Sequence, residues 1–249
     1  MKRFGLVLAA LAFVACARPA PANPTGTLPS EVLPWAPAGA DARLSCGGRT
    51  FPISGLEAPT GAEAAIGPEF DALRATLTTF ASEFPGSSEW TWRLADRDET
   101  GAIFVAEVDA QARPGWASIE VRADANGWGS GGMGQCSPFV VLSAEFRRAG
   151  WILDPAFVTP TPGSTELHLL VGEMDCASGR SATGRMSVLA IEYAPATLTI
   201  VIGVRPLDGD QTCQASPPTP ALLRLAEALG ARTLLDGGRW PPAAPSLDY

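Results

Sequence analysis

The stretch RMSVLAIEYAPATLTIVIGV, residues 185–204, decides the fold. Between positions 198 and 204 large aliphatic side chains recur at every second residue, the period that sends alternate side chains to opposite faces of a strand. One face of this segment must therefore be buried. The three residues Ala-Pro-Ala at 194–196 make a tight link, so we predict two consecutive strands at 185–193 and 198–204.

Working outward, short β-rich runs recur along most of the chain. Upstream of the hairpin we predict strands at 139–142, 149–153 and 166–171. Residues 221–229 favour a helix by composition, but they follow three prolines, and we predict an edge strand there. Further upstream, turn residues separate three runs that predict an antiparallel meander, at 89–94, 102–108 and 116–122.

One helix is predicted ahead of the meander. Pro68 suits a first helical turn, and Phe70, Leu73, Leu77 and Phe80 follow at spacings of three and four, which indicates an amphipathic helix over 68–83. Its apolar stripe is expected to pack on the sheet as core. The sequence thus predicts an α+β fold of mainly antiparallel β-sheets with one N-terminal amphipathic helix. We divide it into a helix plus meander over 43–137 and an antiparallel β subdomain over 138–240.

The first 15 residues have the layout of an export signal, with positive charge, then an apolar run, then small residues. Their end, Phe13-Val14-Ala15-Cys16, resembles the bacterial lipoprotein box, although the box usually has Leu where Phe13 stands. The resemblance implies that Cys16 is lipidated and becomes the mature N-terminus. The alternative is ordinary cleavage after Ala17 or Ala22, which would release a secreted protein. Residues 16–42, rich in Pro and Ala, are expected to form a tether, and 241–249 a loose tail.

The cysteines agree with export. If Cys16 carries lipid, four remain, an even set suited to two disulfides in an oxidising compartment. Three pairings are possible. We favour Cys176–Cys213, because both lie in the C-terminal part and flank a hairpin-like stretch, which leaves Cys46–Cys136.

Composition excludes several classes of function. Lys2 is the only lysine, and the chain after residue 15 has 16 arginines against 26 acidic residues, a net charge of −10. Nucleic acid is therefore not expected as a partner, nor is electrostatic binding to anionic lipid, so membrane attachment would depend on Cys16. We also expect no cofactor and no metal site, because His168 is the only histidine and no two cysteines stand at zinc-ligand spacing.

The glycine-rich segment GWGSGGMG at 127–134 matches the GxGxxG pattern in two registers. That pattern binds a pyrophosphate only where a strand precedes it and a helix follows, and here a β-rich run follows. We therefore interpret the segment as a flexible connection between strands.

No catalytic constellation stands out. A hydrolase with a nucleophile and base would have to use His168, which we place on the more polar face of a strand. Several acidic pairs occur, such as Asp96 with Asp98 and Asp208 with Asp210, and we interpret them as surface loops. Trp90 and Trp92, two residues apart, share one face of a strand. They are expected either to pack in the core or to form an exposed aromatic strip for glycan or peptide contact.

The chain from about Cys46 to Pro242 resembles a group of uncharacterised secreted lipoproteins from high-GC Gram-positive bacteria, most specifically in its C-terminal part. The residues that carry the resemblance are Trp128 to Cys136, Asp175 to Gly179, Val204 to Leu207, Thr212-Cys213 with Pro217 to Pro220, and Leu234 to Gly238. It implies the compartment and the Cys176–Cys213 pairing, but no activity. We therefore expect an extracytoplasmic, lipid-anchored, non-enzymatic protein that binds an envelope protein or glycan or serves as an accessory subunit. The alternative is a carboxylate-dependent hydrolase of cell-wall glycan.

Overall fold

The structure is a computed structural model that describes Leu28 and residues 42–46, 48–110 and 113–247. Mainly antiparallel β-sheets with one helix make up the fold, as the sequence predicts. Residues 1–15, Cys16 and most of the predicted tether lie outside the described residues, as do positions 248 and 249.

The first half is a four-stranded meander with the helix α1 (Pro68–Phe80) on one face. Its strands are β3 (Trp92–Asp98), β4 (Gly101–Ala110), β5 (Arg113–Asp124) and β6 (Gly127–Cys136), each antiparallel to the next. Leu73 and Leu77 of the helix pack against Phe104 and Ile119 of the sheet, so the predicted apolar stripe is core. The helix ends at Phe80, three residues before the predicted end.

A small sheet covers part of the opposite face of the meander. It consists of β1 (Arg43–Ser45) between β2 (Thr50–Pro52) and β7 (Phe139–Val140). Its buried residues Leu44 and Phe51 pack against Ile103 and Val105 of β4. The Cys46–Cys136 disulfide joins the end of β6 to the residue after β1, which confirms the predicted pairing.

The second half is a sheet folded around its own core. Its strands are β8 (Arg147–Leu153), β9 (Glu166–Glu173), β10 (Met186–Tyr193), β11 (Thr197–Val204) and β12 (Thr219–Arg224), in the order β10-β11-β8-β9-β12. A further strand, β13 (Thr233–Asp236), pairs parallel to β11. The alternating residues of β11 are buried against Trp151, Leu169 and Leu223, as the period of two predicts. The predicted edge strand is confirmed as β12, and the Cys176–Cys213 disulfide forms.

The prediction for the glycine-rich segment was wrong. Residues 127–136 form the full-length strand β6, paired with β5 from Asp124↔Gly127 to Trp116↔Cys136. The segment lacks the β-branched residues that mark strands in a sequence, and its pairing with β5 is what makes it a strand. No helix follows it, so the geometry of a dinucleotide site is absent from this part of the described chain.

The predicted tether and tail both touch the domain. Leu28 is 2 % exposed, lies in the core of the second half, and its N–H donates to the carbonyl of Leu222 at 2.9 Å. At the other end, Ala243 pairs with Asp236, so the predicted loose tail is held by backbone hydrogen bonds as far as Ala243. A single apolar residue, Leu28, is enough to dock this Pro-rich segment on the domain.

Leu28 lies next to the edge strand β12, and its side chain is part of the core of the second half. We therefore expect Leu28→Ala to lower the free energy of unfolding by about 2 kcal/mol. Chemical denaturation monitored by tryptophan fluorescence measures the change. Ile66→Ala is the matched control: this side chain is 97 % exposed, and its loss should change the free energy by less than about 0.5 kcal/mol. Equal small effects for both variants would show that Leu28 does not dock.

Candidate functional site

A groove of about 670 Å³ lies between the β8–β9 connection and the start of β9. It mixes apolar, aromatic, hydroxyl and carboxylate groups. The residues that line it are Leu153, Asp154, Pro155, Phe157, Val158, Thr159, Pro160, Thr161, Ser164, Glu166, Leu167 and His168.

The only histidine of the protein lies in this groove. The rings of Phe157 and His168 stack face to face, with 3.8 Å between their centroids and 3° between their planes. His168 points away from the core face that Leu167 and Leu169 occupy, as predicted, but the stack with Phe157 half-buries it. Its Nδ1 is buried and has no hydrogen-bond partner among the described residues.

Backbone hydrogen bonds fix the connection that forms the wall of the groove. The N–H of Asp154 donates to the carbonyl of His168 at 2.9 Å, and the Asp154 carboxylate accepts from the N–H of Ala156 at 2.9 Å. Farther along, the N–H of Leu229 donates to Ser164, also at 2.9 Å, and that of Gly230 to Pro162 at 2.8 Å. Three prolines restrict the same segment, at 155, 160 and 162. The groove is therefore preformed, which reduces the ordering cost of binding.

One apolar side chain stands out at the mouth of the groove. Val158 is 91 % exposed, one of three large hydrophobic residues described as exposed. A pair of opposite charges adjoins the groove, where the Nε of Arg224 and an oxygen of the lining residue Glu166 are 3.2 Å apart. An aromatic stack beside hydroxyl and carboxylate groups is the arrangement of a binding site that fixes a ligand by contact area and orients it by a few polar groups.

The acidic pairs noted in the sequence do not converge in this groove. Asp96 is paired with Arg43 at 2.6 Å and Asp98 with Arg49, both beside the meander. Near β9, Glu173 forms a two-point pair with Arg185, with one contact of 2.5 Å. Arginine pairs with each of these three acids, and none of them lines the groove, nor does Asp208 or Asp210.

Trp90 and Trp92 do not form an exposed aromatic strip. Trp92 is fully buried in the core under α1, and its indole Nε1 donates to the carbonyl of Ser87 at 3.2 Å. Trp90 packs partly buried beside it, with 6.1 Å between the ring centroids. The interpretation as core packing is the correct one of the two.

One carboxyl lies buried where the two halves of the protein meet. Asp236, at the end of β13, is 2 % exposed; it accepts from the N–H of Gly238 at 2.8 Å and lies 3.8 Å from the Nε of Arg239. Burial raises the pKa of this carboxyl, because desolvation outweighs the hydrogen bond from Gly238 and the charges of Arg239 and Arg148. The groove lining does not include Asp236, so the acid belongs to the junction.

The remaining observations concern the cellular compartment, metal binding, membrane-spanning helices and similarity to known proteins. Two disulfides place the domain in an oxidising, extracytoplasmic environment. Within 42–46, 48–110 and 113–247, no group of three His, Cys, Asp or Glu side chains is placed to hold a metal ion, and no helix is long and apolar enough to cross a membrane. Comparisons with protein-family models, curated proteins and solved structures each find no match to this chain.

The raised pKa of Asp236 makes stability depend on pH. The pKa of this carboxyl is higher in the folded state than in the unfolded state, where it is near 3.8. Its contribution to the free energy of unfolding is therefore complete below pH 3.8 and is lost as the pH rises through the folded-state pKa. The uncharged variant Asp236→Asn removes this dependence while keeping an oxygen for Gly238. We expect the unfolding free energy of the wild type, minus that of the variant, to fall as pH rises from about 4 to 7. A difference that is flat or rises over this range would contradict the assignment.

Proposed function

We propose that this protein is a lipid-anchored, non-enzymatic binding protein of the cell envelope, and that it binds its ligand in the β8–β9 groove. The observation that carries the proposal is the preformed groove with the Phe157–His168 stack at its centre. A stacked aromatic pair held by a hydrogen-bonded connection offers contact area at little entropic cost. The exposed Val158 adds apolar surface to the lining of the groove.

The cysteine pairing supports the lipid anchor. Four of the five cysteines form the two disulfides, which leaves Cys16, within the sequence that resembles a lipoprotein box, as the one with no disulfide role. Since Leu28 is docked on the domain, only 11 residues lie between it and Cys16. At about 3.1 Å per residue, such a segment spans at most roughly 40 Å. The proposal therefore places the groove close to the outer face of the membrane.

A hydrolase of cell-wall glycan is the second candidate. The observation in its favour is that two carboxylates, Asp154 and Glu166, both line the groove. Against it, Asp154 accepts a backbone hydrogen bond and Glu166 is paired with Arg224. Glycoside hydrolysis needs one protonated and one ionised carboxyl group, and the different surroundings of the two groups keep them in these states. Neither Asp154 nor Glu166 is buried as a general acid usually is.

To test binding at the groove, we would incorporate the photo-crosslinker p-benzoylphenylalanine at Val158 in the anchored protein on living cells. We expect an adduct with an envelope component, and we expect Phe157→Ala to reduce its yield at least about tenfold by removing the aromatic stack. The matched control is the same crosslinker at Ile66, which is equally exposed but lies before α1. Adducts of equal yield from both positions, or none from Val158, would contradict the proposal.

The two candidate activities differ in what happens to purified cell-wall sacculi. A binding protein leaves them intact, whereas a hydrolase releases soluble sugar fragments that Asp154→Asn or Glu166→Gln would abolish. We expect no release from the wild type over many hours. Release that depends on either carboxylate would replace the binding proposal with the hydrolase.

The anchor is tested by mass spectrometry of the mature protein. We expect a lipid-modified N-terminal Cys16, and we expect Cys16→Ser to move the protein from the membrane to the medium. An unmodified N-terminus at Arg18 or Asn23, as cleavage after Ala17 or Ala22 would leave, would contradict lipidation.

A further inference from the structure

Strand β6 forms one edge of the four-stranded meander. It runs for ten residues and pairs with β5 on one side, and within the described residues no backbone hydrogen bond reaches its outer side. Exposed edge strands in monomeric proteins usually carry charged residues, proline or a β-bulge, which discourage pairing with another chain. The sequence GWGSGGMGQC contains no charged residue and no proline, and its one bulge lies at Gly131, in the middle of the strand.

The glycines of β6 are not all explained by the fold. Gly127 and Gly132 adopt positive φ angles of 113° and 137°, which favour glycine, and at Gly131 an added Cβ would lie 3.0 Å from the carbonyl of Glu120. At Gly129 and Gly134, in contrast, an added Cβ would meet nothing within 4 Å, and the backbone needs no positive φ. A glycine in a strand costs about 0.5–1 kcal/mol, and its presence often marks close approach of another backbone.

These two glycines lie on the same face of the sheet. Gly129 is paired with Arg122 and Gly134 with Ser118, both on the face away from α1, while Trp128 and Met133 face the helix. Between them, Gly131 is an extra residue that has no counterpart on β5. The bulge therefore divides β6 into a four-residue part, 127–130, and a five-residue part, 132–136.

The order of residues in these parts is self-complementary. If two β6 strands run antiparallel about a two-fold axis between Gly131 and Gly132, Gly129 of one copy faces Gly134 of the other. On the helix face, Ser130 then lies opposite Met133, and Trp128 opposite Gln135. We call the line where the two β6 strands would meet the seam. No charged residue of β6 lies along it, and each residue lies opposite one that points to the same face of the sheet.

We infer that two copies of this chain associate through their β6 edges, which joins two four-stranded meanders into one eight-stranded antiparallel sheet. The two-fold pairing satisfies the outer N–H and C=O groups of both strands and gives an isologous interface that closes on itself. Between Gly129 and Gly134 the face away from α1 carries no side chain, and the nearest one along β6 is the disulfide-bonded Cys136 at the strand end, opposite Gly127 of the other copy, so the two backbones can approach over this central part. The interface lies in the first half and is separate from the groove, so it stands whether or not the groove binds a ligand.

A charge-swap pair of variants tests the register. In Gly129→Lys/Gly134→Lys, lysine of one copy faces lysine of the other at both ends of the seam, whereas in Gly129→Lys/Gly134→Glu each lysine faces a glutamate. Both variants place a Cβ in open space, so neither should disturb the fold. Like charges directly opposite destabilise a strand pair, while opposite charges stabilise it.

The measurement is the molar mass of the full mature chain in mild detergent, by light scattering and sedimentation across protein concentration. We expect a dimer for the wild type and for the Lys/Glu variant, and a dissociation constant at least about tenfold higher for the Lys/Lys variant. Thermal unfolding of all three proteins confirms that they are folded. A wild type that is monomeric at every concentration, or a dimer that both variants leave unchanged, would overturn the inference.

Discussion

The rest of the structure depends on how residues 234–240 tie the two halves together. Strand β13 pairs with β11 in the second half, and the N–H of Gly237 then donates to Ile200 at 2.9 Å. A Cβ at Gly237 would lie 2.7 Å from Thr199, so only glycine permits this approach. The next residues reach the first half: the carbonyl of Gly238 accepts from Val140 at 3.0 Å, and Trp240 packs beside the small sheet. Burying Asp236 beside this joint costs solvation energy, which the hydrogen bond donated by the Gly238 N–H and the nearby arginines partly offset.

The contacts of residues 234–240 fix the positions of the two proposed interaction sites, the groove and the β6 edge, relative to each other. The groove lies on the second half, whose hydrogen-bonded β8–β9 connection holds Phe157 against His168. The β6 edge lies on the first half, on the far side of the meander from β3. Because Leu28 is docked next to β12, the lipid anchor would reach the second half by a short segment. A dimer formed through β6 would then carry two grooves and two anchors, and simultaneous attachment of two grooves raises the effective affinity for a repeated envelope ligand.

The sequence predicts the parts of this structure that local patterns specify. Alternation in β11 and the three-and-four spacing in α1 follow from burial on one face, and they appear where predicted. The four cysteines pair as expected, because compartment and number leave few choices. Strand β6 was missed because glycines carry no side-chain pattern, and β1, β2 and β13 because three or four residues are too few to show a period. Docking of Leu28 and the stacking of Phe157 on His168 depend on contacts between distant positions, which one sequence does not contain.

The central claim is that the two halves form a single cooperative unit held by residues 234–240. Differential scanning calorimetry of the disulfide-intact protein tests it most directly. We predict one transition whose calorimetric enthalpy equals the van't Hoff enthalpy, since unfolding of either half breaks the strand and hydrogen bonds that hold the other. Two separable transitions, or a calorimetric enthalpy about twice the van't Hoff value, would show that the halves unfold independently and would contradict the claim.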